Sequence, residues 1–209
     1  MSSTEDVQLA VKYGADALGF VSAMPSGVGI IDETLIPVLA AEVPPGIDTF
    51  LLTSLFNAVD IISQIKRCRT NTVQLVDNVE TNVYERIRIE LPHIKIVQVI
   101  HVIGENSLKE AESISPYIDA LLLDSGNPNL QIKELGGTGR IHDWSVSKLI
   151  CENVNKPVFL AGGLNPDNIE EAVQTVHPYG VDVCTGLRSN SFLNEDKLKS
   201  FISKIRSCN

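Results

Sequence analysis

The segments DALLLDS (residues 119–125) and PVFLAGG (residues 157–163) decide the fold of this chain. Each is a short, almost unbroken apolar run that ends in small or polar residues. A continuous apolar strand has both faces buried, which is typical of a parallel sheet covered by helices. The two segments therefore predict an α/β architecture whose buried strands end at a polar edge.

The same pattern recurs along all 209 residues, where short β-rich runs alternate with segments of helical periodicity. Seven strands are predicted, at residues 15–21, 48–54, 71–76, 94–100, 119–125, 157–163 and 180–186. Eight helices are predicted, at residues 4–13, 32–42, 57–68, 79–91, 105–115, 143–153, 165–176 and 194–206. Several of these helices open with a capping residue, as at Asn57, Asp143 and Asn165.

Strict alternation of strands and helices leaves two architectures, an open doubly wound sheet and a closed barrel. A doubly wound sheet usually carries a glycine fingerprint after its first strand, and this sequence has none there. Glycines and polar residues instead follow nearly every predicted strand, as at the active-site face of a barrel. We therefore predict one domain, residues 1–209, folded as a (β/α)8 TIM barrel.

The sequence opens in a predicted helix, whereas an eight-stranded barrel should open with a strand. We therefore expect the first barrel strand to be missing from this chain. Unpaired strand edges are costly, so something should fill the gap. The candidates are another segment of the chain, residues outside this sequence, or a second copy in a homodimer.

Composition narrows the function classes. A net charge of -9 at pH 7 opposes binding to a phosphate backbone, so no nucleic acid partner is expected. No apolar run approaches the roughly 20 residues of a membrane span, and no secretory signal is present, so we expect no membrane association and a cytoplasmic location. The cysteines lack CxxC spacing and nearby histidines, which argues against a disulfide framework and a zinc site. We expect no bound metal.

Asp124 is the strongest catalytic candidate, because it ends a buried strand at the predicted active-site edge. A partly desolvated carboxyl there could hold a proton near neutral pH and act as a general acid. The alternative interpretation is that Asp124 caps the following loop by accepting backbone N–H groups.

Glycines mark three places where a ligand could reach the backbone. AGG and TG follow the last two predicted strands and lead into helices, where exposed N–H groups favour an anion. The GGTG run offers a third bare backbone. These positions predict a ligand that carries a phosphate. The residues predicted to bind it are Gly136, Gly137, Thr138, Gly139, Gly162, Gly163, Thr185 and Gly186.

Two further side chains are candidates for ligand binding. Gln74 would point into the barrel mouth or into its core. Arg188 follows a glycine turn and could serve a carboxylate or a phosphate. The alternative for Arg188 is a solvated loop cation.

Several motifs together resemble the phosphoribosylanthranilate isomerase family of tryptophan biosynthesis. They are LLLDS, GGTG followed by HDW, PVFLAGGLNPDNIEEA and GVDVCTGLR, with GADALGF near the start and VQL in the middle. The resemblance runs nearly end to end and is most specific at residues 119–188. It implies a cofactor-independent (β/α)8 barrel that isomerises N-(5-phosphoribosyl)anthranilate by an Amadori rearrangement. A general acid opens the sugar ring in that reaction, and a general base removes the proton on C2.

The resemblance implies that Asp124 is the general acid and that the glycines of GGTG, AGG and TG bind the phosphate. The family's base is a cysteine in a KxCG motif on the first strand, which this sequence lacks. Cys184 is the candidate to replace it, since a thiolate near a helix N-terminus can have a lowered pKa. The alternative for Cys184 is a small buried apolar residue.

Three other departures accumulate, and together with the missing base they fall on the parts of the family that abstract the proton and recognise anthranilate. The SPR element reads MPSGVG (residues 24–29), Val76 replaces a histidine, and the usual SSG near the last strand reads CTG. These departures leave an alternative function open, in which the barrel binds a different phosphorylated sugar, with another activity or none.

Overall fold

The structure is a computed structural model that describes residues 1–25 and 27–208. Ser26, part of the MPSGVG element, and Asn209 lie outside the described residues. Seven parallel strands of the described chain form one sheet, in which each strand pairs with the next in sequence. Their bounds are β1 Ala17–Val21, β2 Asp48–Thr53, β3 Thr72–Leu75, β4 Lys95–His101, β5 Ala120–Asp124, β6 Val158–Leu160 and β7 Gly180–Val181.

Helices connect the strands and follow the last of them. Eight α-helices occur in the part of the chain that the structure describes: α1 Thr4–Tyr13, α2 Ile36–Ala41, α3 Ala58–Cys68, α4 Thr81–Glu90, α5 Asn106–Ile114, α6 Trp144–Asn153, α7 Ile169–Val176 and α8 Glu195–Ser207. None of these helices combines the length and apolar character needed to cross a membrane. The predicted alternation of seven strands and eight helices is confirmed.

The sheet curls into a TIM-barrel-like fold with the helices outside, which confirms the predicted fold class. Two apolar clusters pack against its two faces. The outer cluster joins the helices to outward strand residues such as Leu51, Leu121 and Leu160. The inner cluster fills the barrel interior with Val97, Leu122 and their neighbours. Successive residues of each strand therefore alternate between the helices and the barrel interior.

β1 and β7 do not pair with each other in the described chain, and residues 29–31 lie between Val21 of β1 and Cys184, which follows β7. Ile30 forms a parallel bridge with Val21, and the Ile31 amide donates to the Val21 carbonyl at 3.0 Å. A Cβ placed on Gly29 would stand 3.8 Å from the Cys184 sulfur and 3.9 Å from Val21. Residues 29–31 thus occupy part of this gap as a segment of the same chain. Residues outside this sequence and a second copy of the chain stay predictions.

Most strands lose one or two residues at their predicted ends, and two are shortened further. β6 ends at Leu160, because Gly162 and Gly163 have φ of 81° and 67°, outside the range of a strand. The last predicted strand, residues 180–186, keeps only Gly180–Val181, the two residues that pair with the end of β6. Residues 185–187 form a 3-10 turn instead, and a two-stranded hairpin follows, β8 Arg188–Ser189 with β9 Phe192–Leu193.

Two helix starts also differ from prediction. Asn57 and Asp143 cap α3 and α6 as predicted, but α7 begins at Ile169. The Asn165 side chain accepts the Asp167 N–H within a preceding turn. Residues 32–42 divide into a 3-10 turn and α2, because Pro37 lacks an N–H and is tolerated only in the first turn of a helix.

Replacing Ile61 by Ala tests the packing of α3 against the sheet. Ile61 is 0% exposed, whereas Val59 in the same helix is 60% exposed. Ile61→Ala is expected to lower the free energy of unfolding by about 2–5 kcal/mol. Val59→Ala should change it by less than about 0.5 kcal/mol. Urea unfolding measures both, and equal losses would contradict the inward face of α3.

Candidate active site

Asp124 ends β5 on its inward face and is 8% exposed. It pairs in register with His101, the last residue of β4. One carboxylate oxygen, Oδ1, accepts the Ser125 N–H at 2.7 Å. The other, Oδ2, is backed by Gly136, where a Cβ would stand only 2.9 Å away. Asp124 therefore caps its own loop with one oxygen, and Oδ2 accepts no hydrogen bond from any residue that the structure describes.

The GGTG run folds over the carboxyl end of the barrel. Gly136, Gly137 and Gly139 have φ of 138°, 67° and 70°, a region that other residues rarely adopt. Thr138 Oγ1 lies 2.7 Å from Ser125 Oγ and accepts the Arg140 N–H at 3.2 Å. These bonds tie the bare backbone to the end of β5.

The turns after β6 and β7 need glycine for close packing. A Cβ on Gly163 would stand 2.6 Å from the Arg140 carbonyl, and one on Gly186 would stand 1.9 Å from the Leu164 carbonyl. The turn after β6 thus packs against the end of the GGTG run, and the turn after β7 packs against the turn after β6. Several of their amides donate to no described acceptor: those of Gly137, Gly139, Gly162, Gly163, Thr185 and Gly186.

A cavity of about 50 Å³ lies where these turns meet. Two carboxyl side chains, a thiol and the glycine turns form its wall. Its lining residues are Asp124, Gly137, Thr138, Gly139, Ala161, Gly162, Gly163, Leu164, Asp182, Val183, Cys184 and Thr185. The structure thus brings together most of the residues predicted from the sequence, with Gly136 behind Asp124 and Gly186 behind Leu164.

Two predicted ligand residues lie away from this cavity. Gln74 is buried in β3, beside Leu52 and Val97 in register. The Arg188 guanidinium bonds the Asp6 carboxylate at 3.4 Å and the Ser191 carbonyl at 2.8 Å. Arg188 therefore has protein partners, and ligand binding by either residue stays a prediction.

Cys184 lines the cavity at the start of the 3-10 turn, with its sulfur toward the loop that contains Gly29. Asp182, two residues earlier, lines the same cavity and was missed by the sequence reasoning. The signal was present in GVDVC, where the alternation of a strand puts Asp182 and Cys184 on one face.

Asp182 has an unusual electrostatic setting. The residue is exposed to solvent, although protein surrounds its carboxyl on most sides. Burial of the carboxyl is the larger cause and the negative charge of Asp124 the smaller one, and together they raise the pKa of Asp182 to about 6.

His142 supports the loop behind the cavity. Its Nε2 lies 2.7 Å from the hydroxyl of the buried Ser147 in α6, and its Nδ1 is buried without a hydrogen-bond partner among the described residues. Burial lowers the pKa of His142, and the negative charges of Asp124 and Asp143 oppose that shift. A neutral imidazole therefore anchors residues 140–143 to the helix.

Within residues 1–25 and 27–208, no group of three or more His, Cys, Asp or Glu side chains is arranged to hold a metal ion.

Comparisons with known proteins agree over nearly the whole chain. The family profile described as N-(5'-phosphoribosyl)anthranilate (PRA) isomerase matches residues 1–204. The N-(5'-phosphoribosyl)anthranilate isomerase 2 of Methanosarcina mazei is 36% identical over 204 residues, covering 97% of this chain and 89% of that relative.

Solved structures share the fold. One describes monomers generated from the dimeric phosphoribosylanthranilate isomerase of Thermotoga maritima, with a TM-score of 0.79, 23% identity, and coverage of 99% of this chain and 95% of that one. Another describes a phosphoribosylanthranilate isomerase with reduced 1-(o-carboxyphenylamino)-1-deoxyribulose 5-phosphate, with a TM-score of 0.79, 24% identity and the same coverage.

The electrostatic setting of Asp182 predicts the stability of its Asn variant. The pKa of Asp182 lies above its ordinary value of 3.8, so ionisation is disfavoured in the folded protein. The wild type therefore loses stability as the pH rises from 3.8 to about 6. Asp182→Asn should unfold at a higher temperature than wild type above that interval, with the advantage vanishing below it. Thermal unfolding across this pH range checks the prediction; an advantage independent of pH would contradict it.

Proposed function

Because this chain belongs to the phosphoribosylanthranilate isomerase family, we propose that it catalyses the Amadori rearrangement of N-(5-phosphoribosyl)anthranilate. The observation that carries this proposal is the cavity in which Asp124 faces three turns with free amides. The reaction needs an acid beside the sugar ring and a grip on the phosphate, and both lie within one enclosure.

Backbone amides, rather than cationic side chains, form the proposed phosphate-binding site. The amides of Gly163, Thr185 and Gly186 are free to donate, and those of the GGTG run lie across the same cavity. Such amides at the carboxyl ends of the last barrel strands favour a phosphate dianion. The phosphate of the substrate therefore binds at this end, and the sugar extends toward Asp124.

Asp124 acts as the general acid in this proposal. Its Oδ1 is fixed by the Ser125 amide, so the carboxyl group is held toward the cavity. A proton on Oδ2 is free to pass to the ring oxygen of the sugar, which breaks the bond from that oxygen to C1. The anthranilate nitrogen stabilises C1 as an iminium, and the opened chain is ready to lose a proton at C2.

A second function has one observation in its favour. No lysine or arginine of the described chain lines the cavity, which already holds two carboxyl groups. The carboxylate of anthranilate consequently has no cation there to pair with. A barrel that binds another phosphorylated sugar, with or without catalysis, is the alternative.

Two partners are proposed for this chain. A small phosphorylated sugar is the proposed ligand. A homodimer is also proposed, on the support of the relative from Thermotoga maritima that is described as dimeric.

The first test is turnover of freshly made N-(5-phosphoribosyl)anthranilate, followed by loss of anthranilate fluorescence. Wild-type protein should be active, and Asp124→Asn should lose about 10²- to 10⁴-fold in kcat, because the amide cannot donate the acid's proton. Binding of inorganic phosphate should persist in this variant. A wild type that binds phosphate without turnover would support the alternative function instead.

A second test addresses the phosphate grip. A Cβ on Gly186 would collide with the Leu164 carbonyl, whereas one on Gly104 meets nothing within 4 Å. Gly186→Ala should weaken inorganic phosphate binding by at least about tenfold, or about 1.4 kcal/mol. Gly104→Ala is the matched control and should bind as wild type. Isothermal titration measures both, and unchanged binding in Gly186→Ala would refute the grip.

A further inference from the structure

Asp182 faces the barrel interior. Val181 and Val183 pack against the outer apolar cluster, so the residues that alternate with them point inward. Asp182 lines the same cavity as Asp124 and is exposed to solvent. A group in this position can contact a ligand held by the turns after β6 and β7.

The two carboxyl groups stand at the same height in the sheet. The Ala161 amide donates to the Leu123 carbonyl, and the Asp182 amide donates to the Leu160 carbonyl, both at 2.8 Å. Adjacent strands lie about 4.8 Å apart, which places the backbones of Asp124 and Asp182 roughly 10 Å apart. Between them is Ala161, whose small side chain leaves the space open. A sugar carbon chain lying there meets one carboxyl on each side.

We propose that Asp182 is a catalytic residue of the isomerisation, the general base that removes the C2 proton from the ring-opened substrate. This role rests on the proposed function above. The Asp182 carboxylate takes the proton, the C2–H electron pair forms a C1=C2 double bond, and the C1=N pair moves onto nitrogen. The Asp182 carboxyl then returns the proton to C1. The C2 hydroxyl passes its own proton to the Asp124 carboxylate and becomes the ketone, so Asp124 is again protonated and the reaction is balanced without a co-reactant.

The surroundings of Asp182 suit a base. A carboxylate whose pKa is about 6 is mostly ionised at neutral pH and is a stronger base than an ordinary carboxylate. The charged groups that act on it are Asp124 on β5 and the Met1 amino group, which donates to the Gly19 carbonyl. Asp6 and Arg188, also near that amino group, are paired with each other.

Cys184 is the competing base. Cys184 follows Asp182 by two residues on the same inward face. Its sulfur is directed to the loop that contains Gly29 rather than across to Asp124. Two isosteric substitutions separate the candidates. Asp182→Asn removes the carboxylate, and Cys184→Ser removes the thiol.

Steady-state kinetics with N-(5-phosphoribosyl)anthranilate test the proposal. Asp182→Asn should lose about 10²- to 10⁴-fold in kcat with little change in KM. Asp182→Glu, which keeps a carboxylate, should retain part of the activity and show a larger kinetic isotope effect with substrate deuterated at C2. Cys184→Ser should keep most of the wild-type kcat. Wild-type kcat/KM should fall as the pH drops through about 6, and this step should be absent from the residual activity of Asp182→Asn.

Controls distinguish this inference from the proposed function. Circular dichroism verifies folding, and the reduced product analogue, 1-(o-carboxyphenylamino)-1-deoxyribulose 5-phosphate in its reduced form, verifies binding by each variant. An active wild type with full activity in Asp182→Asn, or with the main loss in Cys184→Ser, overturns the role of Asp182 alone. An inactive wild type overturns the proposed function, and this role with it.

Discussion

The parallel hydrogen-bond register between β5, β6 and β7 is the constraint on which the site depends. It sets Asp124, Ala161 and Asp182 at one height, and strand alternation turns all three inward. A shift of one residue in either pairing would turn a carboxyl toward the helices. The apolar residues between them, such as Leu123, Leu160 and Val181, prevent that shift because they belong to the outer core.

The glycine turns follow from the same register. Once β5 and β6 end side by side, the chain must turn sharply above them without blocking the cavity. Gly162 and Gly163 do so with positive φ, and Gly186 packs directly on the Leu164 carbonyl. Backbone amides then remain where side chains would otherwise stand. In the proposed function, these amides bind the phosphate at one end of the cavity, and the two carboxyl groups transfer protons at the other.

The sequence predicted the strands and helices well where they are long and periodic. It overestimated β6 and the last strand, because an apolar run does not reveal where glycines leave the strand conformation or where pairing with the next strand stops. It identified Asp124 and the glycine turns through their position after strands. It missed Asp182, because a carboxyl near the end of a strand gives no sign of what stands opposite. It proposed Arg188 as a ligand residue, and the pairing of Arg188 with Asp6 joins positions that are 182 residues apart.

By itself, the sequence determined the alternation of strands and helices, the burial of the sheet on both faces, and the glycines and carboxyls at strand ends. These properties are local, since each depends on residue type and short-range period. Tertiary structure alone decided which strand ends meet, that residues 29–31 lie between β1 and β7, and that Asp182 faces Asp124 across Ala161. Those facts depend on register and curvature, which arise only when distant strands pair.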